Sequence, residues 1–233
     1  MIKDKIPVKF DTLQTIFHLS DIHIRNVKRH KEYREVFDRL YNIISKDVDN
    51  AIAVVVGDIA HAKLEMSPEL VDLTFDFFKN LANILPTIII CGNHDTNLSN
   101  PSRLDVISPI VKNINHENLF YLKQSGIYSV ADTKMVVMSV FDDPANYIQA
   151  DQIDSKTKIA IYHGIVQDAV SESGFRLSND KVNKKMFDGY DMVLLGDIHC
   201  KQEISRYEIK EKIIEEKDLN KYIQNGWEII EEI

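Results

Sequence analysis

Five short segments carry residues able to hold cations or move protons, and each follows directly on an apolar run. Ser20-Asp21-Ile22-His23 follows 15–19, and Gly57-Asp58-Ile59-Ala60-His61 follows 51–56. Gly92-Asn93-His94-Asp95 follows 87–91, His163-Gly164 closes 158–162, and Gly196-Asp197-Ile198-His199 follows 191–195. Asp21 and His23 stand at i and i+2, which point the same way in an extended chain and would grip one cation together. Asp197 and His199 repeat that spacing. Asp58, set at the mouth by a turn at Gly57, has two carboxylate oxygens and so can bridge two cations. Asn93 offers a neutral carbonyl ligand, His94 beside it is free to handle a proton, and Asp95 is placed to orient that imidazole. Alone, D-x-H or a His ending an apolar run is common by chance, and Asp58 would read as a helix cap. Five such motifs in succession point to a metal site, with the Gly92–Asp95 motif the most specific of them.

The apolar runs are rich in β-branched residues and nearly continuous rather than alternating, so they read as strands buried on both faces. Between them lie helical patterns. Tyr33, Val36, Phe37, Leu40, Ile43 and Ile44 form one face of a helix over 31–46. Ser67-Pro68 supplies the N-cap and first-turn proline of a second helix with Leu70, Leu73, Phe77 and Leu81 on its apolar face. Asn179 reads as the cap of a shorter helix through Phe187. Strands alternating with helices make an α/β protein with a helix-covered sheet. Residues 119–140 instead read as consecutive strands, at 119–122, 127–130 and 135–140, of a second, partly antiparallel sheet. In open α/β sheets, sites form at the carboxyl ends of strands, where these motifs lie.

The chain has 233 residues, enough for one sizeable α/β core. No run of 18 apolar residues is present, so no membrane-spanning helix is expected, and the start lacks the apolar stretch of a secretory signal. Two cysteines, Cys91 and Cys200, are too few for a disulfide framework or thiolate zinc site. An intracellular protein is expected, cytoplasmic or, in a eukaryote, nuclear. The net charge of −8 argues against broad nucleic-acid binding through a basic surface, but a site holding two cations brings its own positive charge.

The ordered set D-x-H, G-D-x-x-H, G-N-H-D, H-G and G-x-x-H resembles the calcineurin-like metallophosphoesterase superfamily. Within it, the run His18-Leu19-Ser20-Asp21-Ile22-His23-Ile24-Arg25, His61 and Arg103-Leu104-Asp105 resemble the recombination-repair nucleases, including the nuclease subunit of SbcCD and its phage and viral relatives. The resemblance covers about residues 14 to 200. It implies a four-layer αββα sandwich of two mixed sheets flanked by helices. The matching domain is expected over 1–200, and the Glu-, Lys- and Ile-rich composition after it reads as a charged, mostly helical tail over 201–233, with a final strand at 227–230 and no cap domain. One metal would be held by Asp21, His23, Asp58 and His199, and a second by Asp58, Asn93, His163 and Asp197. His94 would protonate the leaving oxygen, and His61 would help place the substrate phosphate. This mixture of ligands suits Mn²⁺ first, with Fe, Co or Zn as alternatives. Two cations about 3.5–4 Å apart activate water at neutral pH and polarise phosphoryl oxygens for in-line attack.

This chain departs from the family at Asp197, where the pattern has histidine. A carboxylate remains a good oxygen ligand for Mn²⁺. The residues after His199 match neither the DNA-contacting cap nor the ATPase-docking segment of these nucleases. The expected partners are DNA first, then an SMC-like ATPase subunit and a second copy of the chain. A basic cluster after His23, including Arg25, Lys28 and Arg29, is expected to contact substrate phosphate. The leading reading is a Mn²⁺-dependent DNA repair or recombination nuclease, most simply an exonuclease. The alternatives are a phosphodiesterase or phosphatase on a non-DNA substrate, and a non-catalytic binding module of the same fold.

Overall fold

A computed structural model describes residues 2–61, 65–100, 102–171, 173–179, 181–199 and 202. The expected tail helices, the final strand expected at 227–230 and Cys200 lie outside the described residues. In chain order the strands are β1 (Ile2–Ile6), β2 (Thr15–Leu19), β3 (Ala51–Val56), β4 (Thr87–Ile90), β5 (Leu119–Tyr121), β6 (Gly126–Val130), β7 (Thr133–Met138), β8 (Thr157–His163) and β9 (Met192–Gly196). The helices are α1 (His30–Ile44), α2 (Pro68–Ile84) and α3 (Ile107–Ile114).

Two sheets result. One has the order β2-β3-β4-β5 and is wholly parallel; the other has the order β1-β6-β7-β8-β9, with β6 and β7 the antiparallel pair. The alternation of β3 shows how they stack. Ile52, Val54 and Val56 pack between the sheets against Ile88, Ile90, Val137, Ile161 and Leu194. Ala51, Ala53 and Val55 face the other way, into the layer of Phe37, Leu70, Leu73 and Phe77 from α1 and α2. Every residue of β3 and β4 is buried, as a strand covered on both faces requires. β2 differs: it is an edge strand, and His18 on it is exposed rather than in the core.

The helix signals in the sequence hold with shifts. Ser67 caps α2, its hydroxyl accepting from the Leu70 amide at 3.1 Å. The buried face of α1 is narrower than its periodicity suggests, because Val36 and Ile43 stay exposed. The strand at 119–121 pairs parallel with β4 and so closes the first sheet instead of opening the second. Asn179 makes a turn, accepting from the amides of Lys181 and Val182, and the helix expected there is only a 3₁₀ turn, Lys184–Phe187, capped by Asn183. β1 and α3 were not expected from the pattern.

The fold is a sandwich of two sheets with α-helices outside the first. On the outer face of the second, Tyr162 of β8 packs against Tyr147 and Phe187, which three short 3₁₀ turns bring there. The flanking layer expected on that side is thus made of single turns among the described residues. The carboxyl ends of β2, β3, β4, β8 and β9 come together at one end of the sandwich, because all these neighbours run parallel within their sheets.

Candidate metal centre

Past the ends of β2 and β3 the chain keeps pairing while its direction changes. The amide of Asp21 donates to the Gly57 carbonyl, His23 to Asp58, Ile24 to Ile59, and His61 back to Ile24, at 2.7–3.2 Å. The ligand-type residues are not extended, as the i, i+2 argument assumed. Asp21 (φ 55°), His23 (φ 50°), Asp58 (φ 53°) and Asp197 (φ 72°) all lie in the left-handed region. Such backbones cost about 1 kcal/mol or more for a non-glycine residue, and they cluster at functional sites. Gly57 is required: a Cβ there would come within 2.6 Å of the Gly92 Cα.

Asp58 is fully buried at the centre. Its Oδ2 lies 3.6 Å from His23 Nε2, and its Oδ1 lies 3.2 Å from His163 Nε2 and accepts from the His94 amide at 2.7 Å. Each carboxylate oxygen therefore faces a different imidazole, from a different sheet. His163 Nδ1 donates to the Val56 carbonyl at 2.7 Å, which fixes the tautomer and leaves the Nε2 lone pair for the centre. His199 Nε2 and His23 Nε2 lie 3.5 and 4.0 Å from Asp21 Oδ1. The Asp197 amide donates to both Asp21 oxygens at 3.1 Å, and the Asp197 carboxylate is hydrogen-bonded by the Asn93 side chain.

Two groups of ligand atoms follow, each within 4.8 Å of one another: Asp21, His23 and His199, and Asp21, Asp58 and His163. Asp21 is thus common to both, a position not anticipated for it, while Asp58 belongs to the second group and faces His23 of the first through Oδ2 at 3.6 Å. Asn93 and Asp197 flank the second group. A direct test of whether cations fit is which polar atoms lack partners. Among the described residues six buried side-chain atoms make no hydrogen bond, and four are here: both ring nitrogens of His23, Asp58 Oδ2 and His163 Nε2. His163 Nε2 is near Asp58 Oδ1 without hydrogen-bond geometry. Buried polar atoms are otherwise almost always paired, so this concentration fits cation ligands.

Burial alone would lower the His163 pKa, but the Asp58 carboxylate raises it to about 9. Burial opposes ionisation of Asp58, yet the adjacent His163 and the His94 amide hold its pKa below the usual carboxylate value. Burial lowers the pKa of His23 despite Asp58 and Asp21, so its ring is kept neutral and available as a ligand. Burial raises the pKa of Asp197.

Around the centre, the His94 and His61 rings stack at 6.1 Å, and both lie edge-on to His23, at 5.0 and 5.6 Å. His94 Nδ1 faces the His61 carbonyl at 3.1 Å. Asp95 does not orient that ring. It is fully buried and accepts from the Gly92 and Ala60 amides, both at 2.9 Å, so it ties the two ligand loops together. Of the basic residues, Arg25 and Lys28 are exposed, while Arg29 is held by Glu32. Two supporting residues carried no signal of their own. The Ser20 hydroxyl lies between the Val56 carbonyl and Asp21 Oδ2, and the Tyr33 hydroxyl donates to the His23 carbonyl at 2.7 Å.

The model of the calcineurin-like phosphoesterase family matches residues 14–201. The chain belongs to that family, which is described as one of phosphoesterases. It is also similar to the uncharacterized protein R555 of Acanthamoeba polyphaga mimivirus, with 46% identity over 200 residues. That alignment covers 80% of this chain and 15% of the viral protein, so the chain spans only a small part of that relative's length. Among the described residues no helix is long and apolar enough to cross a membrane.

Proposed function

We propose that this protein is a two-metal nuclease that hydrolyses phosphodiester bonds in DNA, with Mn²⁺ as the working cation. The observation that carries the hydrolytic part is the centre itself, where ligand atoms from both sheets converge on Asp58 with their lone pairs unpartnered. The DNA part is supported by the His18–Arg25 run, His61 and Arg103-Leu104-Asp105, and by the exposed Arg25 and Lys28.

Asp21, His23, Asp58 and His199 would hold one cation, and Asp58, Asn93, His163 and Asp197 the other. Bound there, the cations supply Lewis-acid polarisation of the phosphoryl group and lower the pKa of water. The chain's own residues do the rest. His94 Nδ1–H is held by the His61 carbonyl, so Nε2 is the position that delivers a proton to the departing oxygen. Its amide bond to Asp58 fixes the acid relative to the ligands. His61, stacked beside it, contacts the substrate phosphate.

The test is cleavage of linear single- and double-stranded DNA by wild type and His94→Ala, with and without Mn²⁺. Wild type should cleave only with the metal. The variant should lose about 10²–10⁴-fold in rate while binding the same amount of metal. Turnover of bis-p-nitrophenyl phosphate without cleavage of any DNA would reject the nuclease reading. A second reading, a smaller phosphoester substrate, is favoured by one observation: Arg29 of the basic cluster is already engaged by Glu32, which thins the surface available to a polyanion.

A further inference from the structure

Of the run Arg103-Leu104-Asp105, the structure turns only the last residue inward. Arg103 and Leu104 are exposed, whereas Asp105 is buried at the start of α3. Both of its carboxylate oxygens are committed. Oδ1 accepts from the Ser108 amide and Oδ2 from the Ser108 hydroxyl, each at 2.7 Å, so Asp105 caps the helix in place of Val106. Oδ2 also accepts from Lys123 Nζ at 2.7 Å. Burial opposes the Asp105 charge, yet Lys123 and Ser108 hold its pKa below the usual carboxylate value.

Capping α3 does not by itself call for a lysine. Lys123 arrives from a separate part of the chain, just past β5. There its carbonyl accepts from the Ser139 hydroxyl at 2.7 Å, and its Nζ lies 4.7 Å from the centre of the Phe141 ring. What the ion pair holds in place is the backbone beside it. The next amide, that of Val106, donates to the Asp95 carbonyl at 2.9 Å. Asp95 is thus gripped at three points, its carbonyl by Val106 and its carboxylate by the amides of Gly92 and Ala60. His94 is the residue directly before it. A general acid must sit within hydrogen-bond reach of the atom it protonates, and a displacement of about 1 Å costs about 10²-fold in rate.

Building on the nuclease reading, we propose that Asp105 and Lys123 are positioning residues for His94. Neither touches substrate in this role. The pair fixes the Val106 amide, that amide fixes Asp95, and Asp95 sets where the neighbouring imidazole delivers its proton. Loss of the pair would then slow departure of a leaving group that needs a proton, and spare the other steps.

The test compares two substrates in the full chain loaded with Mn²⁺. The alkoxide leaving DNA needs a proton, whereas p-nitrophenolate departs as a stable anion, so bis-p-nitrophenyl phosphate reports the loaded centre without the acid. Unfolded protein turns over neither, so the ratio of the two kcat values is independent of any loss of folded protein. Lys123→Met removes the pair, and Asp105→Asn removes it while keeping an acceptor for the Ser108 amide. Each should lower the DNA-to-ester ratio about tenfold, with KM for DNA within about twofold. Lys123→Arg should restore the ratio. In a His94→Ala background Lys123→Met should lower it no further, since both changes act on one proton transfer. An unchanged ratio in Lys123→Met and Asp105→Asn, or a full additional loss on top of His94→Ala, would overturn the positioning role while leaving the nuclease reading standing. Turnover of the ester by wild type without cleavage of any DNA would overturn both.

Discussion

His163 and Asp58 form the tightest pairing of ionisable groups at the centre, and its chemistry depends on whether a cation or a proton occupies it. Without metal, the Asp58 carboxylate raises the His163 pKa from 6.5 to about 9 against the effect of burial. A histidine with a raised folded-state pKa contributes stability that is fully present below about pH 6.5 and lost as pH rises through about 9. In EDTA-treated protein the Tm deficit of His163→Gln should therefore shrink between pH 7 and pH 10. A deficit constant over that range would show that the imidazole is neutral throughout. The same proton must leave before Nε2 can bind a cation, so metal affinity should rise across that window. Asp95, by contrast, serves the backbone: its two oxygens answer two amides, and burial raises its pKa to about 6. It belongs to the centre's support and not to its proton transfer.

Among the elements, α2 shows how a helix start serves the site. Ser67 caps it and also reaches the loop after His23, through its hydroxyl on the Asn26 carbonyl and its amide on Asn26 Oδ1. Ser67→Ala should cost about 1 kcal/mol in denaturant unfolding, as cap losses do. An effect below a few tenths would show that water replaces the hydroxyl. This cap was legible in the sequence, as were β3, β4 and the five motif loops, because each combines an apolar run with a loop residue of distinct chemistry. α3 was not. Its N-cap is Val106, which offers no side-chain hydrogen bond, and it is only eight residues long. The membership of β5 in the first sheet was also invisible, since the periodicity of a three-residue strand does not say which neighbour it pairs with. At the site, residue types and order were readable, but the left-handed backbones of Asp21, His23 and Asp58 were not. Non-glycine residues reach that region through tertiary hydrogen bonds, not through local preference. Asp95 was misassigned for a related reason. Adjacency to His94 suggested a side-chain pair, whereas the turn aims its carboxylate inward.

For the whole molecule, the centre is a charge problem that bound cations would solve. Several acidic groups and imidazoles share one end of the sandwich, and metal that binds the folded state alone stabilises it in proportion to ln(1 + [L]/Kd). At a hundredfold excess of Mn²⁺ over its Kd, the gain is about 2.7 kcal/mol. Thermal unfolding should show a clear Tm increase in wild type and a much smaller one in Asp58→Asn, which loses the central carboxylate. An equal increase in both would place the stabilising cations elsewhere. The position of Asp58 and His163 has a mechanical side as well. The first follows a strand of one sheet and the second ends a strand of the other, and between the sheets the packing around Val56, Ile90 and Ile161 is largely apolar among the described residues. Cations held by both residues would act as rivets through two stacked plates. Slippage of one plate over the other, which apolar contacts resist only weakly, then requires breaking ligand bonds. In the loaded protein, amides of β3 and β8 should therefore exchange with solvent in a single shared opening event, and in the stripped protein in two.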